Sequence, residues 1–132
     1  LNNSGWSYEE LLPLFKKAEN MTDPEVLADP DFDKYHGRSG YITLESYDYK
    51  AETDFIPIFK KAMNEIGYNY YPDINAKHKR GLFKLHATLR NKRRCSSAKA
   101  YLSSGQNRYN LFISTHSLVT KVITHDNKAL GV

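Results

Sequence analysis

Apolar and polar positions alternate with two different periods along this chain, and the change of period predicts its elements. Leu11, Leu12, Leu14, Phe15 and Ala18 share one helical face, which predicts a helix from Ser7 to about residue 20. Its start is written as a capping box: in Ser7-Tyr8-Glu9-Glu10 the Ser7 hydroxyl can accept from the N3 amide while Glu10 reaches back to the Ser7 amide. Trp6 and Leu11 stand where a hydrophobic staple would form. Pro13 falls inside the helix, at a cost of about 3 kcal/mol, and predicts a kink or two short pieces. Phe55, Ile58, Phe59, Ala62, Met63 and Ile66 recur at the same spacing and predict a second helix, capped at Thr53 or Asp54, with Gly67 at the C′ position.

Period two takes over elsewhere. Residues 41–47 and 81–89 alternate and predict strands, the second with Leu82, Lys84, His86 and Thr88 on one face and Phe83, Leu85, Ala87 and Leu89 on the other. Asn91-Lys92 reads as a turn, and Ser96 or Ser97 as the cap of a short helix to Leu102. Leu111–Ser114, Leu118–Thr124 and a strand from Ala129 around an Asp126-Asn127 turn predict a C-terminal antiparallel β-meander. Between the first helix and the first strand, residues 20–40 hold two prolines and Asp23, Asp29, Asp31 and Asp33, a composition that reads as an exposed connection. The class is α+β. An apolar strand with nothing after it and no initiator methionine at the other end lead us to expect a piece of a longer protein.

Composition narrows this little. The 132 residues are 40% apolar and 26% charged, enough for one core. Mean hydropathy is −0.65 and no run of eighteen apolar residues occurs, which excludes a spanning helix. Charge is polarised: residues 1–76 hold 14 of the 15 acids and 7 of the 19 Lys and Arg, while residues 77–132 hold 12 Lys and Arg against the single acid Asp126. A basic half can face nucleic acid or the acidic half of its own fold, and we favour the second. The run from Lys77 to Arg94 has eight cations, but strand alternation scatters them and Phe83 alone could stack a base.

Chemistry by motif is absent. The sequence has no G-x-G-x-x-G, Walker loop, H-E-x-x-H or G-x-S-x-G, so no catalytic residue is assigned. His36, His78, His86, His116 and His125 are scattered, and with one cysteine no metal site is expected. His86 reads as a packed or surface strand residue rather than a ligand, and Cys95 as a small hydrophobe rather than a nucleophile.

Several segments nevertheless form a set. Gly5-Trp6-Ser7-Tyr8-Glu9-Glu10-Leu11-Leu12-Pro13-Leu14-Phe15-Lys16-Lys17-Ala18-Glu19 resembles a segment of the glucose-methanol-choline flavin oxidoreductases, most closely the insect glucose dehydrogenase-like branch. Tyr35-His36-Gly37 with Gly40 resembles a turn of that family. So do Gly81-Leu82-Phe83 with Asn91, Arg94, Ser96, Ala98, Ala100 and Leu102, and Arg108, Asn110, Leu111, Val119, Thr120, Lys121, Val122, Gly131 and Val132. The family carries a proline at position 13. The chain departs from the family at Tyr41, where a proline is usual, and at Lys92, which replaces a glycine and implies a looser hairpin.

The resemblance implies an internal fragment, residues 1–132, of an FAD-binding region. About residues 1–109 would be a cap and substrate-side portion, with strands of a substrate-side sheet, and about 110–132 a meander of the FAD domain. It implies FAD as cofactor, an alcohol or sugar donor oxidised at CH–OH by hydride transfer to flavin, and the remainder of the parent chain as partner. Val119 matches the family valine whose backbone meets the FAD adenine. Membrane and nucleic acid are not expected as partners, an extracellular setting is compatible with the family, and the fragment alone is expected to be inactive. The alternatives are a basic nucleic-acid or protein-binding module, and an inactive truncated paralogue that acts as an interaction protein.

Overall fold

The computed structural model describes residues 3–47, 55–103 and 108–132. In chain order the elements are α1 (Tyr8–Ala18), β1 (Glu19–Met21), α2 (Pro24–Leu27), α3 (Phe32–Tyr35), β2 (Ile42–Ser46), α4 (Phe55–Glu65), β3 (Tyr70–Tyr71), β4 (Leu82–Phe83), β5 (His86–Arg90), β6 (Arg93–Arg94), a π-helical turn (Ala98–Leu102), β7 (Ile123–His125) and β8 (Lys128–Gly131). A four-stranded sheet runs β1-β2-β5-β6, with β1 parallel to β2 and the other pairs antiparallel. The pairs β3-β4, parallel, and β7-β8, antiparallel, stand apart from it.

Local chemistry sets the first helix. The Glu10 amide donates to Ser7 Oγ at 3.2 Å and the Ser7 amide to Glu10 Oε2 at 3.0 Å, the expected capping box. The expected kink at Pro13 does not divide α1, which runs as one helix. The one amide bond that Pro13 omits would have ended on the carbonyl of Glu9, and Glu9 is exposed, so water can satisfy it. Trp6 stays 74% exposed, so no buried staple forms.

Residues 20–40 overturn their reading as an exposed connection. Met21, Val26 and Phe32 are each at most 2% exposed and form the hydrophobic cluster, with Leu27 and Leu44 packed against it. The acids and prolines are caps and turns rather than solvated loop. Asp23 caps α2 with Pro24 behind it, and Asp29 Oδ1 accepts from the Asp31 amide at 2.7 Å. The stretch then turns back on α1 through Gly37 and Gly40. A Cβ on Gly37 would lie 1.8 Å from the Lys16 carbonyl oxygen, and one on Gly40 2.1 Å from the Ala18 carbonyl carbon, so backbone meets backbone at both.

Helix α4 ends as expected: the Gly67 amide donates to Asn64 O and that of Tyr68 to Met63 O, the paired bonds of a Schellman ending. Its expected cap at Thr53 or Asp54 lies outside the described residues. The strand expected over 81–89 is two short ones, because β4 pairs with β3 while β5 pairs with β2. The short helix expected to Leu102 is the π-helical turn.

The expected three-stranded meander is corrected to a two-stranded hairpin. Asp126 and Asn127 both have positive φ (46° and 58°) and join β7 to β8, but residues 111–114 and 118–122 belong to no strand. Those residues carry the apolar pattern of a strand without a neighbour to pair with, and Phe112 and Leu118 are each 89% exposed.

The hairpin of β5 and β6 is tighter than the missing glycine implied. Asn91 and Lys92 have φ of 54° and 59°, the mirror-image turn that suits strand twist. Glu45 of β2 holds both amides, accepting from Asn91 at 2.7 Å and Lys92 at 2.9 Å. A carboxylate thus does what a glycine would otherwise do. Lys92→Gly is expected to raise stability by about 1 kcal/mol, the relief of a left-handed lysine. Glu45→Ala should lower it by about 2 kcal/mol, since two charge-assisted bonds are lost. Chemical denaturation of both variants checks the pair of signs.

Candidate functional site

The chain's buried chemistry gathers at two carboxylates. Asp23, whose side chain is fully buried, caps α2 by accepting from the Glu25 amide at 2.8 Å. Its Oδ2 accepts from Lys84 Nζ at 2.8 Å and lies 3.1 Å from His86 Nε2. Lys84 continues to Glu25 at 2.9 Å, and the Tyr70 hydroxyl donates to the same Glu25 oxygen at 3.0 Å. Burial pushes the Asp23 carboxyl up, but the bonds from Lys84, Ser46, the Glu25 amide and His86 outweigh it and bring the pKa down to about 2. Lys84 is correspondingly held above its ordinary range against burial by Asp23 and Glu25. Burial and the bond to Glu25 push Tyr70 up to about 12. Since ionised Asp23 can only accept, His86 donates from Nε2. Its Nδ1 is buried with no hydrogen-bond partner among the described residues.

The second carboxylate group surrounds His36. This histidine closes α3, its amide donating to Phe32 O at 2.9 Å, and its ring is 3% exposed. Nδ1 lies 2.7 Å from Glu19 Oε1, at the start of β1, and Nε2 lies 2.7 Å from Asp73 Oδ2. Asp73 is fixed in turn by accepting from the Asn75 amide at 2.8 Å. Burial pushes the imidazole down, yet the bonds to Asp73 and Glu19 win and hold its pKa at about 9. Burial pushes Asp73 up and His36 more than offsets it, so Asp73 lies below the usual carboxylate range.

An open cleft of about 580 Å³ lies over this group. Tyr8, Leu12 and Phe15, one stripe along α1, and Glu19 just beyond its end form one side. Asn75, Ala76, Lys77 and Lys79 form the other, with Tyr35, His36 and Leu44 between them. The cleft combines apolar walls, two lysines and a charged floor.

These contacts also account for the polarised charge. Lys77, Lys84 and His86 of the basic half meet Asp31, Asp23 and Glu25 of the acidic half, and Arg90 donates to Thr43 Oγ1 at 3.1 Å and to the Tyr41 carbonyl. Lys84 and Arg90 are thus half-buried against the first half, while most other cations of the basic half stay exposed. Arg93 and Arg94 remain exposed.

Val119 stands apart from both groups, 56% exposed, in the irregular stretch before β7. Neither its amide nor its carbonyl is hydrogen-bonded to another described residue. His86 is packed, as expected of it, though as one member of an ion-paired network. Cys95 is a buried free thiol, 3.7 Å from the Tyr41 carbonyl oxygen. Asp23, Glu19, Asp73 and Lys84 were not singled out by sequence reasoning. The available signal was His36 beside Gly37 and Gly40, and Lys84 and His86 two apart on one strand face.

Comparison with known proteins gives these contacts a context. The model of the family described as GMC oxidoreductase matches residues 1–132. A glucose dehydrogenase [FAD, quinone] of Drosophila pseudoobscura pseudoobscura is 32% identical over 123 residues, which cover 93% of this chain and 19% of that protein. An ecdysone oxidase of Bombyx mori is 33% identical over 128 residues, covering 96% and 19%. In structure, the chain resembles an FAD-dependent oxidoreductase from Chaetomium thermophilum with a TM-score of 0.72 and 26% identity, over 97% of this chain and 23% of that one. The chain spans about a fifth of the length of these curated relatives.

The Asp23 group generates a stability prediction. Asp23→Ala removes a cap and leaves Lys84 and His86 facing a buried gap, which should cost about 3–5 kcal/mol. Glu25→Ala, at a half-exposed partner, should cost less than about 1 kcal/mol. In acid the sign follows from the lowered pKa: the Asp23 contribution is complete above its ordinary value of 3.8 and disappears as pH falls through about 2. Denaturant titrations of both variants near neutrality, and of the parent across that acid window, measure the difference.

Proposed function

This chain belongs to the GMC oxidoreductase family, and from that membership we propose that it is an internal portion of an FAD-dependent enzyme that oxidises a CH–OH group of an alcohol or sugar donor. The observation that carries the reading is the family match along the whole of residues 1–132. The division of labour we propose has two segments: about residues 1–109 contribute to the cap and substrate side, and about residues 110–132 to the FAD domain.

FAD, when bound, would supply a two-electron acceptor for oxidation of the carbinol carbon, and the hydroxyl proton would need a base. No residue of this chain is assigned that proton. What this chain offers the cofactor is backbone. An adenine edge needs one donor and one acceptor, and a residue with a free amide and carbonyl offers one of each. Val119 is such a residue, exposed and without a protein partner among the described residues, and this supports its assignment as an adenine contact. The pyrophosphate cradle of a dinucleotide fold sits at a glycine-rich strand-to-helix turn. That fingerprint is not in this sequence, so in this reading the pyrophosphate contacts come from another part of the parent chain.

Two measurements test this reading. The purified 132-residue chain should carry no stoichiometric flavin absorbance, because the cradle is missing from it. In the parent enzyme, Val119→Ile keeps the amide and adds one methylene to an exposed side chain, so FAD affinity should fall only slightly, by less than about 1 kcal/mol. Val119→Pro removes the amide and should weaken FAD sharply. Thermal unfolding run in parallel separates lost binding from lost fold, and a folded proline variant with parental affinity would remove Val119 from the site.

A further inference from the structure

The His36 group carries an inference beyond the oxidoreductase reading and independent of it. Both ring nitrogens lie 2.7 Å from a carboxylate oxygen. A neutral imidazole has one N–H, so it can donate to only one of the two. Its other nitrogen would then set a lone pair against a carboxylate at hydrogen-bond distance, in a buried place. The geometry is satisfied when both nitrogens carry protons, and the imidazolium then lies between two carboxylates.

What this cation holds is set by the rest of the segment that carries Asp73. Between β3 and β4, residues 72–79 make no backbone hydrogen bond to another part of the fold among the described residues. Their remaining ties are on the surface or local: Lys77 to Asp31 at 3.9 Å, Lys79 to the carbonyl of Ile74, and the His78 ring stacked on Tyr71. The bond from His36 to Asp73 is the buried one. Glu19 by contrast belongs to β1, whose backbone is paired with β2.

We propose that His36 is a cationic strut that closes the 72–79 segment over the cleft along α1, and that loss of its proton at alkaline pH releases the segment and opens the cleft. Neutral His36 keeps one donor, and the partner that leaves is the one without a backbone anchor, Asp73. The groups facing His36 are Glu19 from β1, Asp73 from the segment, Tyr35 beside it on α3, and Lys77 and Lys79 across the cleft, with His86 of β5 acting on Asp73. The direction of the His36 shift agrees: a group raised from 6.5 to about 9 gives its full contribution below the lower value and loses it as pH rises through the upper.

The test is limited trypsin cleavage of the FAD-loaded parent enzyme after Lys77, Lys79 and Arg80. Each rate is divided by that of a free peptide of residues 72–82 at the same pH, and flavin absorbance confirms the fold. The normalised rate is expected to rise roughly tenfold or more between about pH 7 and about pH 10. Asp73→Asn and His36→Gln should both cleave fast near neutrality with a flat profile. A flat profile for the parent protein overturns the strut, as does a variant that retains the parental pH dependence. If neither variant folds, the parental profile alone decides. Failure here leaves the Val119 measurement untouched, since that reads cofactor affinity and this reads segment opening.

Discussion

Everything around the small hydrophobic cluster depends on one buried negative charge. The Asp23 side chain is fully covered, and an uncompensated carboxylate there would cost several kcal/mol, a large share of what Met21, Val26 and Phe32 return by burial. It is compensated from four directions: the first turn of α2, Ser46 at the end of β2, Lys84 after β4, and His86 at the start of β5. Those partners lie far apart in the sequence, Glu25 and Lys84 by 59 residues. Satisfying Asp23 therefore requires the acidic first half and the basic second half to be assembled in one register, the register that pairs Leu44 with Thr88 and Ser46 with His86. The ion network specifies the sheet as much as the sheet positions the network.

His36 repeats this logic at the other side of the cluster, with the signs exchanged. Here a buried cation is compensated by two carboxylates, one anchored in a strand and the other on a segment with little backbone attachment. The two groups differ in what they hold: Asp23 joins paired elements and stiffens them, while His36 joins a paired element to an unpaired one. Gly37 and Gly40 make the second arrangement possible, because backbone contact with the end of α1 brings His36 beside Glu19.

Outside these groups the chain is open. Neither α1 nor α4 buries a residue, and the apolar side chains from Tyr109 to Val132 are exposed apart from a half-buried Leu111, with Tyr109 at 94%. Surfaces of this extent on one side of two helices and along an extended arm exceed what an isolated soluble domain usually leaves uncovered. They agree with a chain that spans about a fifth of its curated relatives. The same openness leaves the Val119 amide and carbonyl without a partner among the described residues.

Local chemistry was readable because it depends on neighbours in sequence. The capping box at Ser7 and Glu10, the Schellman ending at Gly67 and the turns at Asn91-Lys92 and Asp126-Asn127 lie within a few residues, where side-chain reach and backbone angles decide the outcome. The family resemblance was also readable, since it rests on ordered residues. Two kinds of statement were not. The alternation over 111–122 declared an apolar strand but could not supply a partner for it, because pairing is a property of two segments. The Asp-rich stretch over 20–40 looked solvated because composition cannot separate a carboxylate in water from one that caps a helix and meets a lysine 61 residues later. The sequence by itself determined helices α1 and α4, the turns and the polarity of charge. Only the tertiary structure decided which of those charges are buried, because burial is settled by partners that the folded chain brings together from a distance.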